Sequence, residues 1–211
     1  MEELDLLKKD WKKNENSFRQ VSENEIYKMI HRNSSSVVKW IMIIGIIEFL
    51  FWIGINLISN SDDYFKNLEA GNILLYMKIF GYVNSAIIIF FIYQFYKNYV
   101  VISTTDSTRT LMKNILKTRK TVNTYVWYNL IVVFLSFVAG ILLAYFCNPE
   151  IAPMRDKIEH GGTAMALGFI GGSLFILAIL ITLVWLFYKL LYGFLMRKLQ
   201  RNYQELKKID L

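Results

Sequence analysis

Four long apolar runs limit what this chain can fold into more than any other feature of its sequence. They cover about residues 37–58, 73–96, 125–147 and 164–194. A helix needs about 20 mostly apolar residues to cross the ~30 Å hydrocarbon core of a bilayer, and each run meets that length. Both prolines, Pro149 and Pro153, lie between the third and fourth runs, so no run is broken from within. The sequence therefore predicts an all-α, polytopic membrane protein with four transmembrane helices and amphipathic cytoplasmic helices.

The lysines and arginines predict how these helices are oriented. Most of them lie in residues 1–36, between the second and third runs, and in residues 195–211, whereas the other two connections are more acidic. Basic residues are retained on the cytoplasmic side of a membrane protein. We therefore expect a multi-pass protein of the cell inner membrane with cytoplasmic N- and C-termini: a head (1–36), a transmembrane domain (37–194) and a basic tail (195–211). The net charge of +7 lies at the ends of apolar runs, which does not indicate a nucleic-acid binder.

The head carries two helical patterns. Leu4, Leu7 and Trp11 recur at helical spacing among charged residues, which predicts an amphipathic helix. This helix either lies on lipid headgroups or binds a protein partner. The sequence from Ser22 to Glu25 is a capping box, which predicts a second helix that leads into the first span. Three serines at 34–36 are the expected position of a break between them.

The connection between the second and third spans predicts a further helix, from about 107 to 124. Residue types that cap helix N-termini at 103–106 precede a helical repeat of apolar residues. Its basic residues are expected to face lipid headgroups, as topology determinants or as a specific site for an anionic lipid or a partner. They are Lys113, Lys117, Arg119 and Lys120.

Small residues at intervals of four predict how the third and fourth spans pack. Helices in lipid approach closely where small residues meet. The third span has Ser136, Gly140 and Ala144, and the fourth has Ala164, Gly168 and Gly172. Because the spans are antiparallel, the two stripes match in depth and predict a close hairpin. The alternative is that the fourth-span stripe is the face of a homo-oligomer.

Glu48 is an acidic residue near the middle of the apolar first span. An ionised carboxylate there costs about 3 kcal/mol or more, so its side chain should face the bundle interior. Lys78 in the second span is the nearest basic candidate for a pair, and Asn84 and Asn129 are further polar candidates. The structural alternative is that Glu48 only fixes helix orientation while Lys78 extends outward to the headgroups.

The sequence offers no basis for an enzyme, a cofactor or a metal centre. Cys147 is the single cysteine, and the two histidines, His31 and His160, are expected on opposite sides of the membrane. No zinc-protease, nucleotide-binding or serine-hydrolase motif is present. The outer connection between the third and fourth spans is acidic, so it either binds a cation or is a solvated turn. Its polar residues are Glu150, Asp156, Glu159 and His160.

The opening residues 1–13, with their leucine, lysine and tryptophan pattern, resemble the start of small multi-span membrane proteins of Bacteroidota. Several such families look like partners of extracytoplasmic-function sigma factors. The resemblance implies a non-catalytic regulatory or assembly protein, anti-sigma-like, that binds a cytoplasmic partner through its N-terminal helices. The zinc-binding histidine–cysteine motif of some anti-sigma families is missing here. The alternative is a subunit of a small transporter or channel that uses Glu48 within the membrane.

Overall fold

A computed structural model of the chain describes residues 22–58 and 73–209, so Leu4, Leu7 and Trp11 lie outside the described residues. Every regular element in these two stretches is helical: α1 (Glu23–Ile58), α2 (Ile73–Ser103), α3 (Thr108–Cys147), α4 (Ala152–His160) and α5 (Gly162–Ile209), with a 3-10 turn at Pro149–Ile151. Four of the helices, α1, α2, α3 and α5, are long and apolar enough to cross a membrane. The predicted all-α fold with four spans is confirmed.

Helix α1 begins at the predicted capping box and continues through the first span. The Ser22 backbone N–H donates to Glu25 Oε2 at 3.2 Å, and the Glu25 N–H donates to Ser22 Oγ at 3.3 Å. The helix then runs for 36 residues, or about 54 Å. The predicted break at residues 34–36 is wrong. Ser34 is fully buried, and its hydroxyl accepts a hydrogen bond from Asn202 of α5, so it supports the helix bundle at this point.

The other long helices also extend beyond their apolar runs. Helix α3 starts directly after Ser107, so the helix predicted at about 107–124 is continuous with the third span. Helix α5 has 48 residues and ends at Ile209, so nearly all of the segment predicted as a basic tail is helical. Together these extensions form what we call the basic end of the bundle, where Glu23, Ser103, Thr108 and Ile209 lie.

The packed core is concentrated toward the basic end. Helix α1 packs against α2 and α5, and α3 packs against the same two helices. Toward the opposite end, large apolar side chains such as Leu142, Phe146 and Leu174 are mostly exposed, as expected for surfaces in contact with lipid. The core comprises Ile30, Val37, Val38, Ile41, Phe91, Phe95, Ile102, Leu111, Ile115, Val122, Tyr125, Tyr188, Tyr192, Leu199 and Leu206.

Helices α3 and α5 are neighbours, as predicted, but they do not meet along the predicted seam of small residues. A Cβ built at Gly140, Gly168 or Gly172 has nothing within 4 Å, and Ser136 and Ala164 are exposed while Ala144 is half-buried. The two helices contact each other at this level through Tyr145 and Phe169, whose ring centroids are 5.8 Å apart. Phe169 follows Gly168 directly, so the glycine stripe is turned about 100° away from α3.

Gly168→Leu should therefore change the free energy of unfolding by less than about 1 kcal/mol, because the added side chain enters open space. Unfolding of the purified protein in lipid nanodiscs measures this. The matched control is Gly45→Leu on α1, where even a Cβ would lie 3.4 Å from the Phe95 ring and overpacking should cost about 1–3 kcal/mol. An equal loss of unfolding free energy in both variants would show that Gly168 does pack against α3, as the small-residue stripes predicted. Cross-linking of the Gly168→Leu protein tests the homo-oligomer alternative.

Candidate functional site

The Glu48 carboxylate points into the bundle because of where it lies on α1. Ile41 and Gly45 are buried on the core-facing side of this helix, and Glu48 follows them at helical spacing. The side chain itself is only partly covered. Its carboxyl group reaches residues of both α3 and α5 in the aromatic part of the core.

Two tyrosines from two other helices bind this carboxylate. Tyr125 Oη of α3 donates to Glu48 Oε2 at 2.9 Å, and Tyr188 Oη of α5 donates to Glu48 Oε1. Both carboxylate oxygens therefore accept a hydrogen bond from a phenol. Because the two donors come from two different helices, this pair of hydrogen bonds fastens α1 to both α3 and α5.

Tyr192 is a third tyrosine of the same cluster, one turn beyond Tyr188. Its ring stacks on Tyr188 with centroids 6.0 Å apart, and its side chain is only 2% exposed. Its hydroxyl lies beside the Glu48 carboxyl group, but no hydrogen bond of normal geometry joins the two. The hydroxyl lies near Gly45, where an added Cβ would be 3.9 Å away, in ordinary van der Waals contact.

Aromatic rings surround the hydrogen bonds. The Tyr125 ring lies at the centre of the cluster, with Phe91 and Phe95 of α2 at 5.3 and 5.4 Å and with Tyr188 and Tyr192 of α5 at 6.2 and 6.1 Å. All four contacts have the edge-to-face geometry that aromatic pairs favour. The cluster thus joins all four long helices at one level and holds a carboxylate among phenol donors.

The structure does not pair Glu48 with Lys78. Lys78 is exposed, thirteen positions before Phe91 on α2, and Phe91 marks the level of the Tyr125 ring. That separation is about 20 Å along the helix axis, which is further than a lysine side chain reaches. The interhelical pair considered for these two residues is therefore wrong, and tyrosines take the place of the lysine.

The two membrane asparagines contact the same stretch of α3. Asn84 Oδ1 accepts a hydrogen bond from Tyr128 Oη at 2.7 Å, which joins α2 to α3. Asn129 Nδ2 donates to the Tyr125 carbonyl at 2.9 Å and so stays within its own helix. Glu48, Asn84 and Asn129 are therefore connected through residues 125–129, whereas Lys78 lies apart from them.

A second group of polar contacts lies nearer the basic end. Asn202 of α5 is 1% exposed; its Nδ2 donates to Ser34 Oγ at 2.9 Å, and its Oδ1 accepts from Asn33 Nδ2 at 3.2 Å. Asn98 of α2 donates to Thr121 of α3 at 3.3 Å. These bonds join α1 to α5 and α2 to α3 and satisfy polar groups that would otherwise be costly to bury.

Helix α1 also binds the carbonyls at the end of α2. Tyr27 Oη donates to the Thr105 carbonyl at 3.0 Å, and the His31 ring lies 2.7 Å from the Ile102 carbonyl. Burial, and to a lesser degree the charge of Asp106, raise the pKa of Tyr27. The phenol therefore keeps its proton and remains a donor throughout the physiological pH range.

Of the four basic residues expected at lipid headgroups, three are exposed and one is not. The exposed residues are Lys113, Lys117 and Lys120. Arg119 instead turns toward α5, where its guanidinium donates to Gln200 Oε1. Arg119 Nε is buried and has no hydrogen-bond partner among the described residues. The Arg119 side chain therefore lies at the interface between α3 and α5, and its contact with lipid headgroups stays a prediction.

The outer connection is more ordered than a simple turn. It contains α4, in which Asp156 and His160 form an exposed pair at 3.0 Å. The Glu150 backbone N–H donates to Asn148 Oδ1 at 3.0 Å. Across residues 22–58 and 73–209, the side chains described include no group of three or more histidine, cysteine, aspartate or glutamate residues that could share a metal ion. The Glu159 side chain is outside the described set.

Tyr125, Tyr188 and Tyr192 are the site residues that the sequence analysis missed. The spacing of Tyr188 and Tyr192, four residues apart within an apolar run, was the available signal, because it places two hydroxyls on one face of the helix. A buried carboxylate needs hydrogen-bond donors, and a phenol can supply one within an apolar span.

Comparison with known proteins gives one result for the four-helix part. Residues 24–211 match a family model described as a domain of unknown function (DUF8845). No curated protein and no solved structure matches the chain. The matched residues begin after the first dozen positions, so the match and the N-terminal resemblance rest on different parts of the sequence.

Proposed function

The chain belongs to the DUF8845 family, and we propose that it is a non-catalytic regulatory or assembly protein of the inner membrane that binds a cytoplasmic partner protein. The observation that supports this most is the basic end, where the four long helices stay packed beyond their apolar runs. Anchoring in a bilayer requires only the apolar runs, so the packed extension beyond them indicates a further role. A rigid extension outside the bilayer provides a fixed surface for another protein.

The extension has a core of its own. Ile102, Leu111, Ile115, Leu199 and Leu206 are completely buried, and each lies outside the predicted spans. The contacts of Asn202, Asn98 and Tyr27 add polar bonds between the helices in the same region. A segment packed in this way keeps one shape, as a recognition surface must.

Residues 1–21 lead directly into this ordered end at Ser22. In our proposal the apolar face of Leu4, Leu7 and Trp11 binds the partner, while the basic end carries and orients it. The partner class that the N-terminal resemblance implies is an extracytoplasmic-function sigma factor, which would make the protein anti-sigma-like.

Ion transport through Glu48 has less support. Both oxygens of this carboxylate already accept hydrogen bonds from tyrosines, and the surrounding rings pack against one another. A carboxylate held by donors on two other helices is suited to fastening the bundle.

Purification of the tagged protein from its native membranes in mild detergent, followed by mass spectrometry, tests the proposal. We expect one soluble protein to co-purify in stoichiometric amount and to be lost when residues 1–20 are removed behind a new initiator methionine. Replacement of Leu4, Leu7 and Trp11 by serine should have the same effect. The matched control replaces the intervening Lys8 and Lys9 by glutamine and should retain the partner. Recovery of membrane subunits or of the chain alone contradicts the proposal.

A further inference from the structure

A shallow groove between α3 and α5 at the basic end combines positive charge with apolar walls. Leu116, Arg119, Lys120 and Asn123 of α3 line it, together with Met196 of α5. None of these five residues is acidic. This groove plays no part in the Glu48 cluster or in the proposed partner contact through residues 1–21.

The polar side of the groove lies near the depth of lipid headgroups, because Asn123, Lys120 and Arg119 are about 3, 8 and 9 Å along the α3 axis from the start of the third predicted span. The third predicted span begins at about residue 125 and the fourth ends at about residue 194, so both helices pass out of the hydrocarbon core next to the groove. Headgroups occupy a layer of roughly 5–8 Å on each side of that core. Trp127, one turn beyond Asn123 on α3, is 60% exposed, which is typical of a tryptophan that anchors a helix at the interface.

Arg119 is held in a position where it can bind an anion. Its guanidinium donates to the neutral amide of Gln200, which orients the side chain without cancelling its charge. Lys120, next to it, is exposed and adds a second positive charge at the rim. A planar guanidinium matches the oxygens of a phosphate, and a neighbouring ammonium adds to the attraction.

The remaining lining residues favour a lipid over a soluble anion. Met196 lies one turn nearer the fourth span than Gln200, the partner of Arg119, so the groove has an apolar wall on the membrane side of its charged groups. A glycerophospholipid presents a phosphate next to apolar chains, which is the same juxtaposition. We propose that this groove is a binding site for the phosphate of an anionic phospholipid, with Arg119 and Lys120 as its ligands and Asn123 as a further hydrogen-bonding group.

Native mass spectrometry of the full-length protein, titrated in detergent with phosphatidylglycerol, tests this. We expect Arg119→Gln and Lys120→Gln each to weaken the apparent affinity by about fivefold relative to the parent. The matched control is Arg197→Gln, which removes the same charge one residue beyond Met196, at the same depth but on an exposed face. It should bind as the parent does. Phosphatidylcholine and inorganic phosphate are titrated in parallel and should bind weakly to all four proteins.

Two results would overturn the proposal. Equal losses in the Arg119, Lys120 and Arg197 variants would mean that diffuse charge, not this groove, attracts the lipid. Binding of inorganic phosphate as tight as that of phosphatidylglycerol would mean that the site takes a soluble anion. Should Arg119→Gln fail to fold through loss of the Gln200 contact, Lys120→Gln decides, because Lys120 is exposed.

Discussion

Glu48→Ala should lower the free energy of unfolding by about 3 kcal/mol. The substitution leaves the hydroxyls of Tyr125 and Tyr188 without their acceptor inside an apolar cluster, and an unsatisfied buried polar group costs about 1–3 kcal/mol. It also removes the contacts that fasten α1 to α3 and α5. Reversible unfolding of the purified protein in lipid nanodiscs measures the change, and Glu48→Gln, which keeps an acceptor, should lose about half as much.

The three tyrosines supply the matched controls for this result. Tyr125→Phe and Tyr188→Phe each remove one hydrogen bond to the carboxylate and should cost about 1 kcal/mol. Tyr192→Phe removes a buried hydroxyl that lies beside Glu48 without a hydrogen bond of normal geometry, so it should cost less than either of the other two. A Tyr192→Phe variant as unstable as the other two would show that all three hydroxyls serve Glu48 equally. A stable Glu48→Ala protein would contradict the fastening role itself.

Leu111→Ala should lower the free energy of unfolding by about 2–5 kcal/mol. Leu111 is completely buried in the basic end, and truncation leaves a cavity among well-packed neighbours. The matched control, Leu116→Ala, removes the same atoms from the same helix at a side chain that is 43% exposed, and should cost less than about 1 kcal/mol. The same unfolding assay compares the two variants.

A third leucine shows where the stability of the fold resides. Leu142, in the half of α3 toward the opposite end, is 51% exposed, so Leu142→Ala should cost little although it lies within an apolar span. Lipid replaces the leucine side chain there as readily as protein does. A larger loss at Leu142 than at Leu111 would place the stabilising core within the bilayer and would weaken the case for a rigid basic end.

The four spans could be predicted because a bilayer selects for length and composition, and both can be counted along the chain. The starts of α1 and α3 could also be predicted, since the Ser22–Glu25 capping box and the apolar repeat after Ser107 are local signals. The continuity of α1 through residues 34–36 could not. Ser34 is kept inside a helix bundle by Asn202, which is 168 positions away in the sequence.

The candidate site was predicted at Glu48, Asn84 and Asn129, but not at the tyrosines that bind Glu48. Glu48 was identifiable because a carboxylate in an apolar run is costly, but its partners depend on how the helices rotate about their axes. The same rotation decides that Phe169, and not Gly168, meets α3. Spacing within one helix defines its faces but does not say which face meets a neighbour, so both the Lys78 pair and the glycine seam were wrong.

The hydrogen bonds of Glu48 also have a consequence for biosynthesis. Tyr125 is synthesised 77 residues after Glu48, and Tyr188 is synthesised 140 residues after Glu48. At a synthesis rate of about 5–20 residues per second, the interval between synthesis of Glu48 and synthesis of Tyr188 is on the order of ten seconds. During that interval the carboxyl group enters the membrane without the donors that later hold it. The first helix therefore gains its last hydrogen bond to the bundle only when the fourth helix arrives, and a chain truncated before residue 188 should hold α1 less firmly against α3.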